Sequence, residues 1–270
     1  MRTIDFKNIW KLFCFNFFTT RKVILGWSIA ITGIMFLYMI LFPSIEEMGQ
    51  MKMDAMPEEL LQLFGMEDNA VFQDFTTYYS MIFGLILVAV AIFAATYAAG
   101  LIHKEEKFKS IEFLSTLAVS RQEIYISKFL TYTIAVTIVL AMAVMTTIVC
   151  GFINGGETFQ VLDILASAKI TSFTALFFGA VGLFLAAISS KLGTSASMVV
   201  LVSYLVGYLG QLLGEDGEIL TYFSPFLSLN VENTIALEQN TIIIFSVYFV
   251  VYILISVIGG IAYAKRDLKV

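Results

Sequence analysis

Charge is what this sequence has least of. Only 14% of its 270 residues are charged, against 59% hydrophobic, at a mean hydropathy of +0.88, a balance that excludes an ordinary soluble domain. Cysteine, proline and histidine are scarce too, at two, three and one. Two cysteines do not make a disulfide framework or a Cys-based metal site, and a chain with 25 phenylalanines and three prolines is not disordered. Cys14 falls in a cytoplasmic-looking segment and Cys150 in an apolar run, so the two thiols are not expected to meet. His103 stands at the end of another apolar run and reads as a boundary residue rather than a ligand or proton relay. There is no G-x-x-x-x-G-K-[ST] phosphate loop, and therefore no nest of that kind for nucleotide phosphates. No cleavable leader is expected. The first apolar run is too long for one, lacks a small-residue cleavage site and follows a charged amphipathic segment.

What is present are runs long enough to cross a hydrocarbon core of about 30 Å, which takes roughly 20 residues of helix. They cover 23–42, 78–102, 129–154, 166–189, 195–213 and 241–264, which gives six transmembrane helices and puts both termini on one side. Of the 16 Lys and Arg residues, 14 fall on that side, which the positive-inside rule makes cytoplasmic; only Lys52 and Lys169 fall opposite. Fifteen of the 21 Asp and Glu residues lie in the outer loops. The net charge of −5 thus describes an acidic exterior above a basic interior face, in a plasma membrane, and points to no nucleic-acid partner. No Asp, Glu, Arg or His stands deep in any run, and Lys169 is near enough to an end to snorkel, which disfavours ion coupling by a titrating side chain.

Shorter signals decorate this plan. In "DFKNIWKLFCFNFF", Phe6, Ile9, Trp10, Phe13 and Phe17 recur at helical spacing with Lys7 and Lys11 off the stripe, as in an interfacial amphipathic helix. Met48, Met51, Met53 and Met56 cluster in the first outer loop. Thioethers suit Cu(I), but with no His or Cys nearby they read as flexible packing, and no metal or cofactor is assigned to the chain. Ser203 with Gly207, and Gly210 with Gly214, form small-x-x-x-small pairs in the fifth run, which serve helix packing within the chain or between two copies. The acidic and apolar stretch after them, around Pro225, reads as an outer re-entrant or interfacial segment over a pathway.

The densest polar segment is "EEKFKSIEFLSTLAVSRQEIYISK", between the second and third runs. Ser120 and Glu123 form an S-x-x-E capping box, with Val119 and Ile124 placed as a hydrophobic staple, so a helix should begin at Ser120 and continue into the third span. Ahead of it Phe108, Ile111, Leu114 and Leu117 recur every third residue beside Phe113, which predicts a short cytoplasmic helix with a narrow apolar ridge. That ridge can lie on the protein's own membrane face or enter a groove on a partner.

The run "EEKFKSIEFLSTLAVSR" resembles the pattern E-E-x-x-G-T-L-E-x-L-L-x-x-P-V-S-R of permease subunits of ABC-2-type ATP-binding-cassette exporters. Glu105, Glu106, Ile111, Glu112, Leu114, Val119, Ser120 and Arg121 fit it, whereas Lys109, Ser110, Ser115 and Ala118 depart from it; "MPEELLQLFGM" is similar to that family's outer segment after the first span. The resemblance implies an all-α permease domain over residues 1–270, with no nucleotide-binding domain of its own. It also implies separate ATPase subunits holding ATP and Mg, and a second permease copy, identical or similar. The ATPase-coupling residues would be Glu105, Glu106, Phe108, Ile111, Glu112, Phe113, Leu114, Leu117, Ser120 and Arg121. A hydrophobic or amphipathic cargo, such as a lipopeptide, an antimicrobial peptide or a lipid-like drug, suits the apolar spans. Two other readings stay open: a membrane scaffold or sensor that docks a partner without transport, and an ion-coupled carrier.

Orientation is checked by single cysteines at Glu59, Arg121 and Glu218 in a background lacking Cys14 and Cys150. An impermeant thiol reagent on intact cells should label Glu59→Cys and Glu218→Cys and spare Arg121→Cys. Labelling of Arg121→Cys from outside contradicts the arrangement.

Overall fold

An apolar run in lipid has no partner for its backbone but itself, and each of these runs is a helix. The computed structural model of the chain describes residues 5–52, 74–107, 119–156, 159–236 and 239–266. In order, its helices are α1 (Phe6–Ile40), α2 (Phe42–Lys52), α3 (Phe75–Lys107), α4 (Arg121–Asn154), α5 (Val161–Thr171), α6 (Phe173–Ile188), α7 (Ser190–Thr194), α8 (Ala196–Leu212), α9 (Glu218–Thr221), α10 (Pro225–Ser228), α11 (Val231–Ala236) and α12 (Gln239–Lys265). Among the described residues there is no strand.

Among the described residues, five segments are long and apolar enough to cross a membrane: α1, α3 up to Lys104, α4, α5 with α6 taken together, and α12. The sixth expected span is α8, whose 17 residues reach about 26 Å at 1.5 Å per residue, short of a core of about 30 Å. The N-terminal amphipathic segment is not a separate element. It forms the first turns of α1, a single 35-residue helix, because no proline or glycine interrupts the chain before Gly26 and the Thr19 and Thr20 hydroxyls bond back to the carbonyls of Phe15 and Asn16. The aromatic stripe divides accordingly. Ile9 and Phe13 are buried in the bundle, whereas Phe6 and Trp10 are exposed.

At the centre stands α3, where Tyr79, Phe83, Val90, Ala94 and Ala98 are all fully buried. It packs along α6, and the approach is close: a Cβ at Gly182 would collide with the backbone of Ala95. A second pair, α1 with α4, buries the stripe Ile24, Ile31, Met35 and Met39. Polar ties between helices are few and specific. Thr20 Oγ1 and Tyr97 Oη are 2.7 Å apart, and Tyr78 Oη donates to the Tyr38 carbonyl at 2.9 Å. By contrast, α12 buries only Thr241, Gly259 and Tyr263, which suits a helix whose surroundings are lipid.

The stretch after α8 folds back onto the bundle through three short helices. Ser224, Phe226, Leu229, Val231 and Thr234 are buried there. Phe226 stacks on Phe178 with ring centroids 5.1 Å apart, and Thr174 Oγ1 donates to the Pro225 carbonyl at 3.2 Å. Thr171 and Thr234 meet hydroxyl to hydroxyl at 3.2 Å beside the one-residue break between α5 and α6.

The contact of α3 with α6 makes a stability prediction. Gly182→Val should abolish or strongly lower the yield of folded protein, since the obstacle is backbone. Gly84→Ala, where a Cβ meets nothing within 4 Å, should keep or raise the unfolding temperature, by about 0.5–1 kcal/mol of helix propensity. Thermal unfolding of the two variants in one detergent reads the difference.

Candidate functional site

One end of the bundle carries a junction built on the start of α4. Ser120 is the N-cap, in extended backbone, and its Oγ accepts from the Glu123 backbone N–H at 3.2 Å. Glu123 Oε2 accepts in return from the Ser120 N–H at 2.6 Å, completing the capping box expected from S-x-x-E. The second carboxylate oxygen is not spare. Oε1 accepts from the backbone N–H of Asp5, the N-cap of α1, at 2.6 Å. One carboxyl group, 2% exposed, therefore closes the starts of two helices 118 residues apart in sequence.

Arg121 and Lys128 extend the junction. The Arg121 guanidinium donates to the carbonyls of Arg266, at 2.5 Å, and Ala264, at 3.4 Å, where α12 ends and carbonyls lack helical donors. Arg266 in turn donates from Nη1 to the Ala186 carbonyl near the end of α6, at 2.9 Å. Lys128, two turns further along α4, is fully buried and donates from Nζ to the Leu101 carbonyl of α3. The start of α1, the ends of α3, α6 and α12, and the first turns of α4 thus meet in one hydrogen-bonded knot. A cation under apolar cover is costly unless it is bonded, so these bonds are what let Lys128 lie there.

Of the residues expected to couple to an ATPase, Ser120 and Arg121 belong to this junction. Glu105 and Glu106 lie in the last turn of α3. Phe108, Ile111, Glu112, Phe113, Leu114 and Leu117 lie outside the described residues, as do Met53, Met56 and the "MPEELLQLFGM" stretch. The small residues of α8 are apart from the junction. Gly207 faces the Ser224 side chain, Gly210 faces Gly217 and Leu220, and Gly214 takes φ +60°, a left-handed turn that suits glycine. Ser203 is half-buried on the same helix.

Three participants were not singled out from sequence. Glu123 was read only as a cap and Lys128 only as a loop cation, while Arg266 was counted as one more basic residue near the end of the chain. The signal for Lys128 was available in the spacing of Ile124, Ser127, Lys128, Thr131 and Ala135, an inward stripe of α4 that the structure buries throughout.

Comparison with known families gives this geometry a setting. The family model described as "Multidrug efflux system permease Rv1217c, C-terminal domain" matches residues 12–263, nearly the whole chain. The chain belongs to this permease family. Searches among curated proteins and among solved structures return no match. The permease is thus a transporter component by family, and its several apolar helices fit a multi-pass membrane protein.

The junction predicts an asymmetry between neighbours. Glu123→Ala leaves two backbone N–H groups without their acceptor and should cost the permease about 2–3 kcal/mol. Arg121→Ala, at an exposed position, should cost under about 1 kcal/mol. Unfolding temperatures of the purified variants in detergent separate the two, and equal losses would contradict the central place given to Glu123.

Proposed function

We propose that this permease is the membrane-spanning part of an ATP-driven exporter of the ABC-2 type, powered by a pair of separate ATPase subunits. The observation that carries the reading is the family match over residues 12–263, and the likeness of 105–121 to the coupling segment of such permeases supports the finer assignment. ATP and Mg belong to the partner ATPase. The junction lies on the cytoplasmic face, given the distribution of Lys and Arg, and a second permease copy completes a path for a hydrophobic or amphipathic cargo.

The mechanism is mechanical. Nucleotide closes the ATPase dimer, the 105–117 segment moves with it, and the Ser120 corner passes the displacement into α3 and α4. The bonds from Glu123 to Asp5 and from Arg121 to the end of α12 would carry the same movement to the first and last helices. ATP favours one permease state only if the ATPase binds the two states unequally, and the coupling segment is where that difference is felt.

Replacing Phe113 and Leu114 together with Ala removes apolar contact worth about 2–4 kcal/mol at a buried docking point. Co-purification of the ATPase should then weaken by at least about tenfold. Glu112→Lys should do comparable damage if its carboxylate meets a donor on the ATPase. Undiminished ATPase binding and transport by the triple variant would contradict docking through this segment.

A further inference from the structure

An open groove of about 620 Å³ runs between α1 and α4 at mid-length. That volume is in the range of small-molecule sites, about 300–1,000 Å³. Its walls include Phe36 of α1 and Met142 and Met145 of α4, and no residue lining it is ionisable. Two polar residues stand out. Ser28 and Thr32 line the groove one turn apart on α1, and both hydroxyl oxygens are buried without a hydrogen-bond partner; Ser28 is only 5% exposed.

Tyr79, His103, Tyr125 and Ser224 also hold a buried side-chain atom without a partner, but Ser28 and Thr32 are the two that line this groove. Thr146, on the opposite wall of the groove, bonds back to the Met142 carbonyl at 2.8 Å. Thr131, Thr133 and Thr137 bond back in the same way to Ser127, Phe129 and Thr133. Away from water an unpaired hydroxyl is costly, and a step of χ1 between staggered wells can pair either one with its own helix, as the other threonines do, or with an occupant of the groove. A lipid chain would leave both unpaired, since it has neither donor nor acceptor. A charged molecule would find no counter-charge there.

We propose that the groove between α1 and α4 binds a neutral amphipathic small molecule, its apolar body against Phe36, Met142 and Met145 and its one polar group hydrogen-bonded to Ser28 and Thr32. The site faces outward from the bundle, open to the surrounding membrane, so the molecule enters from the lipid phase. Calling the occupant a cargo rests on the efflux reading; binding itself does not need an ATPase.

The probe is 4-(hydroxymethyl)benzophenone, a neutral amphipathic ketone whose photoexcited carbonyl inserts into C–H bonds beside thioether sulfur. Purified permease in phosphatidylcholine vesicles is irradiated with increasing probe, and the adducts are mapped by mass spectrometry. Labelling at Met142 or Met145 should saturate. It should fall at least about fivefold in Gly33→Leu, which fills the groove from a position where a Cβ meets nothing within 4 Å. In Ser28→Ala with Thr32→Val the half-saturating concentration should rise about fivefold, as for the loss of one net hydrogen bond.

Unsaturable labelling spread equally over the exposed methionines Met81 and Met198, and unchanged in Gly33→Leu, would mean that lipid alone wets this face and would overturn the proposal. So would protection of Met142 and Met145 together with disulfide formation between copies of a Met145→Cys permease, which would mean that a second copy covers the groove. Because the assay uses permease alone, a missing ATPase partner leaves its outcome unchanged. Failed labelling alongside intact ATPase docking would remove the groove and spare the exporter reading.

Discussion

The Glu123 carboxylate is the point on which the starts of α1 and α4 converge. Each of its oxygens accepts a backbone N–H from a different helix start, that of Ser120 and that of Asp5. Helix N-termini carry orphan donors and partial positive charge, so a shared anion satisfies both at once. The anion is almost fully covered. Removing it would therefore leave the backbone N–H groups of Asp5 and Ser120 without their acceptor and cut the hydrogen-bonded tie between the starts of α1 and α4.

Lipid sets the wider constraint. Without water in the hydrocarbon core, helices hold together through close packing and sparse hydrogen bonds rather than through apolar burial alone. The contact of Gly182 with Ala95, the bond between Thr20 and Tyr97, and the knot around Lys128 are the forms this takes here. Their distribution is uneven. Charged ties gather at the end of the bundle where α4 begins, and the opposite end is closed by aromatic stacking such as Phe178 on Phe226. A bundle tied tightly at one end and packed by apolar surfaces elsewhere suits a device moved from the tied end.

Local chemistry was legible in the sequence and long-range chemistry was not. The capping box at Ser120 was readable because both partners lie within one turn. The bond from Glu123 to Asp5 spans 118 residues and leaves no local pattern, and Lys128 passed for a loop cation because it precedes the run that begins at Phe129. Apolar runs placed five of the six expected spans on long helices, overrated the fifth run, which is the short α8, and missed the continuity of α1, since a polar stretch such as Thr19 to Lys22 interrupts hydropathy without interrupting helix. In α8 the small residues Gly207 and Gly210 signalled close packing. Their neighbours, Ser224, Gly217 and Leu220, came into view only with the fold.

The most direct measurement is the number of cargo molecules moved per ATP in vesicles containing the permease and the ATPase proposed to power it, with wild type set against Glu123→Gln. Glutamine keeps the size of the side chain and one acceptor oxygen but loses the second, so one of the two bonds is lost while residues 105–117 keep their sequence. The Glu123→Gln permease should still dock the ATPase and support ATP hydrolysis, yet move several-fold less cargo per ATP. An unchanged ratio of transport to hydrolysis would contradict this role for Glu123.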